Sequence, residues 1–96
     1  MTSVRYEATT HRLRIEGVCR EDARHAIDEA LEAFAPMAGD HLIVDLTGVT
    51  DIDEDVVDAL VAKARTAGTK EKTLTFVRKQ GSIVDQAIVA AETALS

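Results

Sequence analysis

A single cysteine, Cys19, is too little for an internal disulfide, and without a second thiol the sequence cannot assemble a zinc site from cysteines. It reads as a structural or incidental thiol. No apolar run approaches the roughly 18 residues that a membrane-spanning helix requires, and the opening MTSVRYEATT lacks a charged-then-apolar leader pattern. The expectation is a cytoplasmic protein with no membrane partner. Basic residues are in deficit, 11 against 17 acidic, for a net charge of −6, which argues against a nucleic-acid phosphate backbone as partner. His11, His25 and His41 stand too far apart for metal-ligand spacing, and no Ser-His-Asp or Cys-His arrangement is visible. Gly48 and Gly81 are isolated, so no glycine-rich phosphate loop forms. These absences lead to the expectation of no enzyme activity, no cofactor and no metal.

What is present is periodicity. With 96 residues, 46% of them hydrophobic, the chain supports one core, and residues 1–96 are expected to form one domain. Val4 to Thr9 alternates modestly and His11 to Gly17 more clearly, with Leu13 and Ile15 on one face, so two strands with a turn near Thr9-Thr10 read as a hairpin. Ala23, Ala26, Ile27, Ala30, Leu31 and Phe34 fall at offsets of 0, 3, 4, 7, 8 and 11, a single helical stripe that Pro36 and Gly39 end. Leu42 to Leu46 is apolar enough for a central strand and is followed by a Thr47-Gly48 turn. A helix is predicted from Asp55 to Thr66, with Lys63 and Arg65 in its last turn and a stop at Ala67-Gly68-Thr69. Thr73 to Val77 is a fourth strand. After the basic loop Arg78-Lys79-Gln80-Gly81, Ser82 can cap a last helix whose stripe is Ile83, Val84, Ala87, Ile88, Ala91 and Leu95. Helices alternating with strands predict an α/β fold with a mixed, mostly parallel sheet of about four strands and three main helices.

Binding sites in such sheets lie beyond the carboxyl ends of strands, beside helix N-termini. At that place Asp51, Asp53, Glu54, Asp55 and Asp58 put five carboxylates into eight residues. The first N–H groups of a helix attract negative charge. Asp53 is placed to cap, worth about 1 kcal/mol, with Glu54 and Asp55 in the first turn. Five acids exceed what capping needs, and their repulsion favours a cationic partner or a base from elsewhere in the chain.

The segment Val44 to Leu60, VDLTGVTDIDEDVVDAL, resembles the signature of STAS domains, roughly V-D-L-S-G-V-x-x-I-D-S-S-G-L-x-A-L, and Leu13-Arg-Ile-Glu-Gly17 before a helix is similar to the same family's L-x-L-x-G segment. The resemblance implies a STAS-like domain, the fold of bacterial anti-sigma-factor antagonists. It also implies a transcription-regulating interaction with an anti-sigma-factor kinase, through Thr50, Asp51, Asp53, Glu54, Asp55, Val56 and Val57. By position Asp53 matches the motif's Asp, Glu54 its first Ser, Asp55 the phosphorylated Ser and Val56 its Gly. Asp55 cannot accept phosphate from a Ser/Thr kinase, and a carboxylate brings one charge where phosphoserine brings about two. Val56 and Val57 share one helical face with Leu60, Val61 and Ala64 and are expected to face the core, although Val56 also adds side-chain volume near the surface where the family has glycine. Arg20 stands where the family has an acid after the hairpin, which predicts a salt bridge from Arg20 to Asp55 or Asp53. The alternative is a ligand- or metal-responsive scaffold subunit of a larger assembly. Asp51-x-Asp53-x-Asp55 opens like a calcium loop, but Val56 and Ala62 stand where the turn glycine and the bidentate Glu belong.

Overall fold

The computed structural model describes residues 2–95, and of Leu95 the backbone alone, so that side chain's place in the last apolar stripe lies outside the described residues. Strands β1 (Thr2–Glu7) and β2 (Arg12–Cys19) form the hairpin, and helix α1 (Glu21–Phe34) runs into a short 3-10 turn at Ala35–Ala38. Strand β3 (His41–Ile52), helix α2 (Glu54–Thr69), strand β4 (Thr73–Val77) and helix α3 (Ile83–Leu95) follow. The sheet order is β1-β2-β3-β4. Only the hairpin pair is antiparallel; β2 with β3 and β3 with β4 are parallel. The mixed, mostly parallel α/β sheet with three helices is the one the alternation predicts.

Alternation along the strands divides the sheet into two unlike faces. Leu13, Ile15, Val44 and Leu46 turn inward and meet Ile27 and Leu31 of α1, Val56, Val57 and Leu60 of α2, and Val84 and Ile88 of α3 in one core. Tyr6 stacks on Phe34 with ring centroids 4.6 Å apart, fastening β1 to the end of α1. The other face carries Arg5, Arg12, Arg14, His41, Thr73 and Thr75, all at least partly exposed.

Asp45 is the exception on that face, only 3% exposed. Arg12 Nη1 lies 2.9 Å from its Oδ2 and Arg14 Nη2 3.9 Å from the same oxygen. The Thr47 N–H and hydroxyl donate to Oδ1 at 3.0 and 2.6 Å. Burial alone would raise this carboxyl, yet the Thr47 hydrogen bonds and the Arg12 guanidinium outweigh it and hold it below the usual carboxylate range.

Three boundaries differ from the sequence reading. The hairpin strands sit about two residues earlier and later, because the turn spans Ala8 to His11 and is closed by bonds from Thr10 N–H and His11 N–H to the Glu7 and Ala8 carbonyls. Thr47-Gly48 is no turn. Strand β3 continues through it to Ile52, slipping register against β2 between Arg14 and Glu16 and again between Gly17 and Val18. Gly17, at φ 93°, supplies the backbone geometry at the second slip. Gly48 admits the Glu16 side chain, whose Cγ would lie 2.8 Å from a Cβ there. Helix α2 also passes through Gly68 to Thr69, so Lys63 and Arg65 fall short of its last turn. Glu71, at φ 60°, ends the reversal, with the Lys72 N–H bonded to the Ala67 carbonyl.

Candidate functional site

The extra residues in β3 carry it past the end of β4, which pairs only as far as Asp45. Its last residues therefore pair with β2 alone, and the Asp53 N–H donates to the Cys19 carbonyl at 2.8 Å. The β2–α1 and β3–α2 junctions are thereby joined. Asp53 occupies the N-cap position of α2, but its side chain makes no bond to its own helix. Instead Oδ2 accepts the Glu21 N–H at 2.9 Å and so caps α1, whose own N-cap, Arg20, has no side-chain acceptor to offer. One aspartate sits at the start of both helices.

Arg20 closes the same junction. Its Nη2 lies 2.7 Å from Asp51 Oδ2 and its Nη1 3.3 Å from Asp53 Oδ1. Asp55 takes no part in that ion pair. The five acids therefore divide into two groups: Asp51 and Asp53 answer an internal base, whereas Glu54, Asp55 and Asp58 project from the first turns of α2 without an ion pair among the described residues.

Thr50 is exposed at the far end of β3, and Asp51 beside it is half-buried, with Oδ1 accepting the Ile52 N–H at 3.0 Å. Val56 and Val57 turn inward, at 0% and 1% exposure. Both valines thus face the core as expected, and Val56 adds no bulk at the surface, because the helical period that exposes Asp55 and Asp58 points the two valines between them inward. No three His, Cys, Asp or Glu side chains gather closely enough to hold a metal ion among the described residues. No helix among them is long and apolar enough to cross a membrane.

Beside the unpaired acids lies an open groove of about 780 Å³ between α2 and α3. Asp55, Asp58 and Ala62 line its α2 wall, Ala87, Ala90 and Ala94 its α3 wall, and Arg24 of α1 reaches one side. The sequence reading placed Asp58 with the acids but did not see the groove. Its signal is the near absence of charge in α3, where Asp85 and Glu92 alone are ionisable and both face Arg78, at 2.8 and 3.8 Å. Ser82 caps this helix, accepting the Asp85 N–H at 3.1 Å, and Asp85 returns a bond to the Gly81 N–H at 2.9 Å. The basic loop is thereby tied down at Arg78.

No curated protein matches the chain. Seven solved chains do. One, described as "Crystal Structure Analysis of Mglu", superposes with a TM-score of 0.63 at 17% sequence identity, over 84% of this chain and 20% of that one. The present chain thus spans about a fifth of that protein's length, and at this identity the likeness is one of fold. The family model described as "Mlab, STAS domain" matches residues 2–91, nearly the whole of the sheet and helices described above, and the chain belongs to the STAS domain family.

Proposed function

We propose that the protein is a phosphorylation-independent interaction module, similar to an anti-sigma-factor antagonist, that binds an anti-sigma-factor kinase or a related regulatory protein in the cytoplasm and so regulates transcription. STAS domains are in general non-enzymatic binding modules. The observation that carries the reading is Asp55. It is exposed in the first turn of α2, free of any ion pair among the described residues, at the position where the family motif has its phosphorylatable Ser. A carboxylate there cannot be switched by a Ser/Thr kinase. The working surface is Thr50 to Asp55 with the exposed side of α2, held in shape by Arg20 and by the double role of Asp53.

The test is capture from the native host with wild type, Asp55→Ser and Asp55→Ala. Retention of one histidine-kinase-like partner by all three is the expected result and makes the protein a constitutive antagonist. Capture by the Ser and Ala forms alone means that the Asp55 charge imitates the phosphorylated state and refuses that partner. If no form captures such a kinase, the sigma-regulation reading falls. A scaffold role in a larger assembly then takes its place.

A further inference from the structure

Helix α3 lies at the surface with Asp85, Gln86, Glu92 and Thr93 gathered on one side, and the rest of its circumference is apolar. Its inner side gives Val84, Ile88 and Ala91 to the core. Its outer side still exposes Ile83 at 68% and Val89 at 49%, along with Ala90 and Ala94. Its two charges are both drawn to Arg78. The groove against α2 runs along an apolar strip of this helix, Ala87, Ala90 and Ala94, that neither the core nor the polar side covers.

Resting on the reading of the protein as an interaction module, we infer that the α2–α3 groove receives a basic amphipathic helix of the partner protein. The alanines on both walls let a third helix approach at the short end of helix packing distances, about 8 Å. An extended segment would instead press unpaired backbone N–H and C=O groups against apolar walls. Charge selects the sign. Glu54, Asp55 and Asp58 stand along the α2 side, and Arg24 is the one cation in the lining, so three carboxylates face one guanidinium. Glu54 and Asp58 lie four residues apart and Asp55 and Asp58 three, one helical face, which matches Lys or Arg at the same spacing on an incoming helix. The same acids repel an anionic lipid surface, the other occupant an apolar helix face could take.

The experiment is selection of helical 18-residue peptides from a display library on the intact chain, followed by titration of the enriched peptides. The comparison proteins are Ala62→Arg, Ala90→Arg and Asp58→Lys, each an exposed position whose variant is checked for an unchanged thermal melt. The expected result is enrichment of peptides with apolar residues at i, i+3, i+4 and i+7 and at least two Lys or Arg. Their affinity should fall tenfold or more in each variant. Enrichment of acidic or uncharged sequences overturns the inference, as do the absence of enrichment, indifference to the three substitutions, or preferential binding to vesicles of anionic lipid. The functional reading stands or falls separately. A host kinase captured undiminished by Ala62→Arg and Ala90→Arg removes the groove and leaves the antagonist, whereas basic helices that bind the groove with no kinase captured do the reverse.

Discussion

Asp45 shows how one residue can decide the behaviour of a sheet face. It is buried between two arginines of β2, and replacing it by Ala leaves Arg12 without its counter-charge and Arg14 with Glu7 alone, at 3.5 Å. The expected loss is about 1–3 kcal/mol, the cost of stranding hydrogen-bonding groups in a part-buried site. Its pH signature is specific. The folded pKa lies below the ordinary value of 3.8, so between the two the unfolded chain binds more protons and stability rises with pH. The Asp45 contribution is complete above 3.8 and is lost as pH falls below it. Urea unfolding between about pH 2.5 and 5 should give a shallower slope for Asp45→Asn than for wild type. Some slope remains, because hydrogen bonds from Arg78 and the Gly81 N–H also hold Asp85 down. Nothing in the sequence singled out Asp45, since a carboxylate in an apolar strand names its partner only when the neighbouring strand's register places an arginine beside it. Arg20 was legible for the opposite reason, a base standing where the family has an acid. Even so, Asp51 was missed as its nearest partner, because the bulges that swing Asp51 toward β2 leave no mark in the pattern.

At the scale of elements Asp53 opens α2 with its backbone and caps α1 with its side chain, and the order of damage should follow from that. Arg20→Ala removes only exposed ion pairs, worth about 0–1 kcal/mol. Asp53→Asn keeps an oxygen for the Glu21 N–H but gives up the charge. Asp53→Ala gives up both and should cost about 1 kcal/mol more than Asn. Equal destabilisation by Asn and Ala in denaturant melts would mean that the bond to Glu21 contributes nothing. Strand β3 makes a second case. Thr-Gly after an apolar run is an ordinary turn signal, and the sequence reading ended the strand there. The glycine serves close approach instead, with Glu16 Cγ where a side chain would begin. Gly48→Ala should therefore destabilise by about 1–2 kcal/mol through overpacking, and the loss should shrink by more than half in a Glu16→Ala background. Additivity of the two substitutions in a double-mutant cycle would assign the glycine to the bulge itself. The cap at Ser82 and the stripes of α1 and α2 were readable because they depend on residues within a few positions of one another; the length of β3 depends on β2.

Over the whole molecule, charge is arranged by the direction of α2. Its first turns carry Glu54, Asp55 and Asp58, and beyond its other end stand Lys70 and Lys72. Sixteen residues at about 1.5 Å each separate the two clusters by about 24 Å. The mixed sheet could be read from the alternation of strands and helices, but this polarity acquires meaning only once α3 lies beside α2 and leaves a groove at the acid end. The separation sets an electrostatic expectation for a basic helical peptide entering that groove. The Debye length is about 8 Å at physiological salt and about 30 Å at 0.01 M. The lysines, some three screening lengths away, are invisible to an incoming cation in the first condition and felt in the second. Stopped-flow association should thus be slowed by Asp58→Asn at both salt concentrations, more strongly at the lower. A Lys70→Gln, Lys72→Gln double variant should speed it only at low salt, by removing a repulsion. Acceleration by the lysine variant at physiological salt would place the peptide nearer the C-terminal end of α2 than the groove allows.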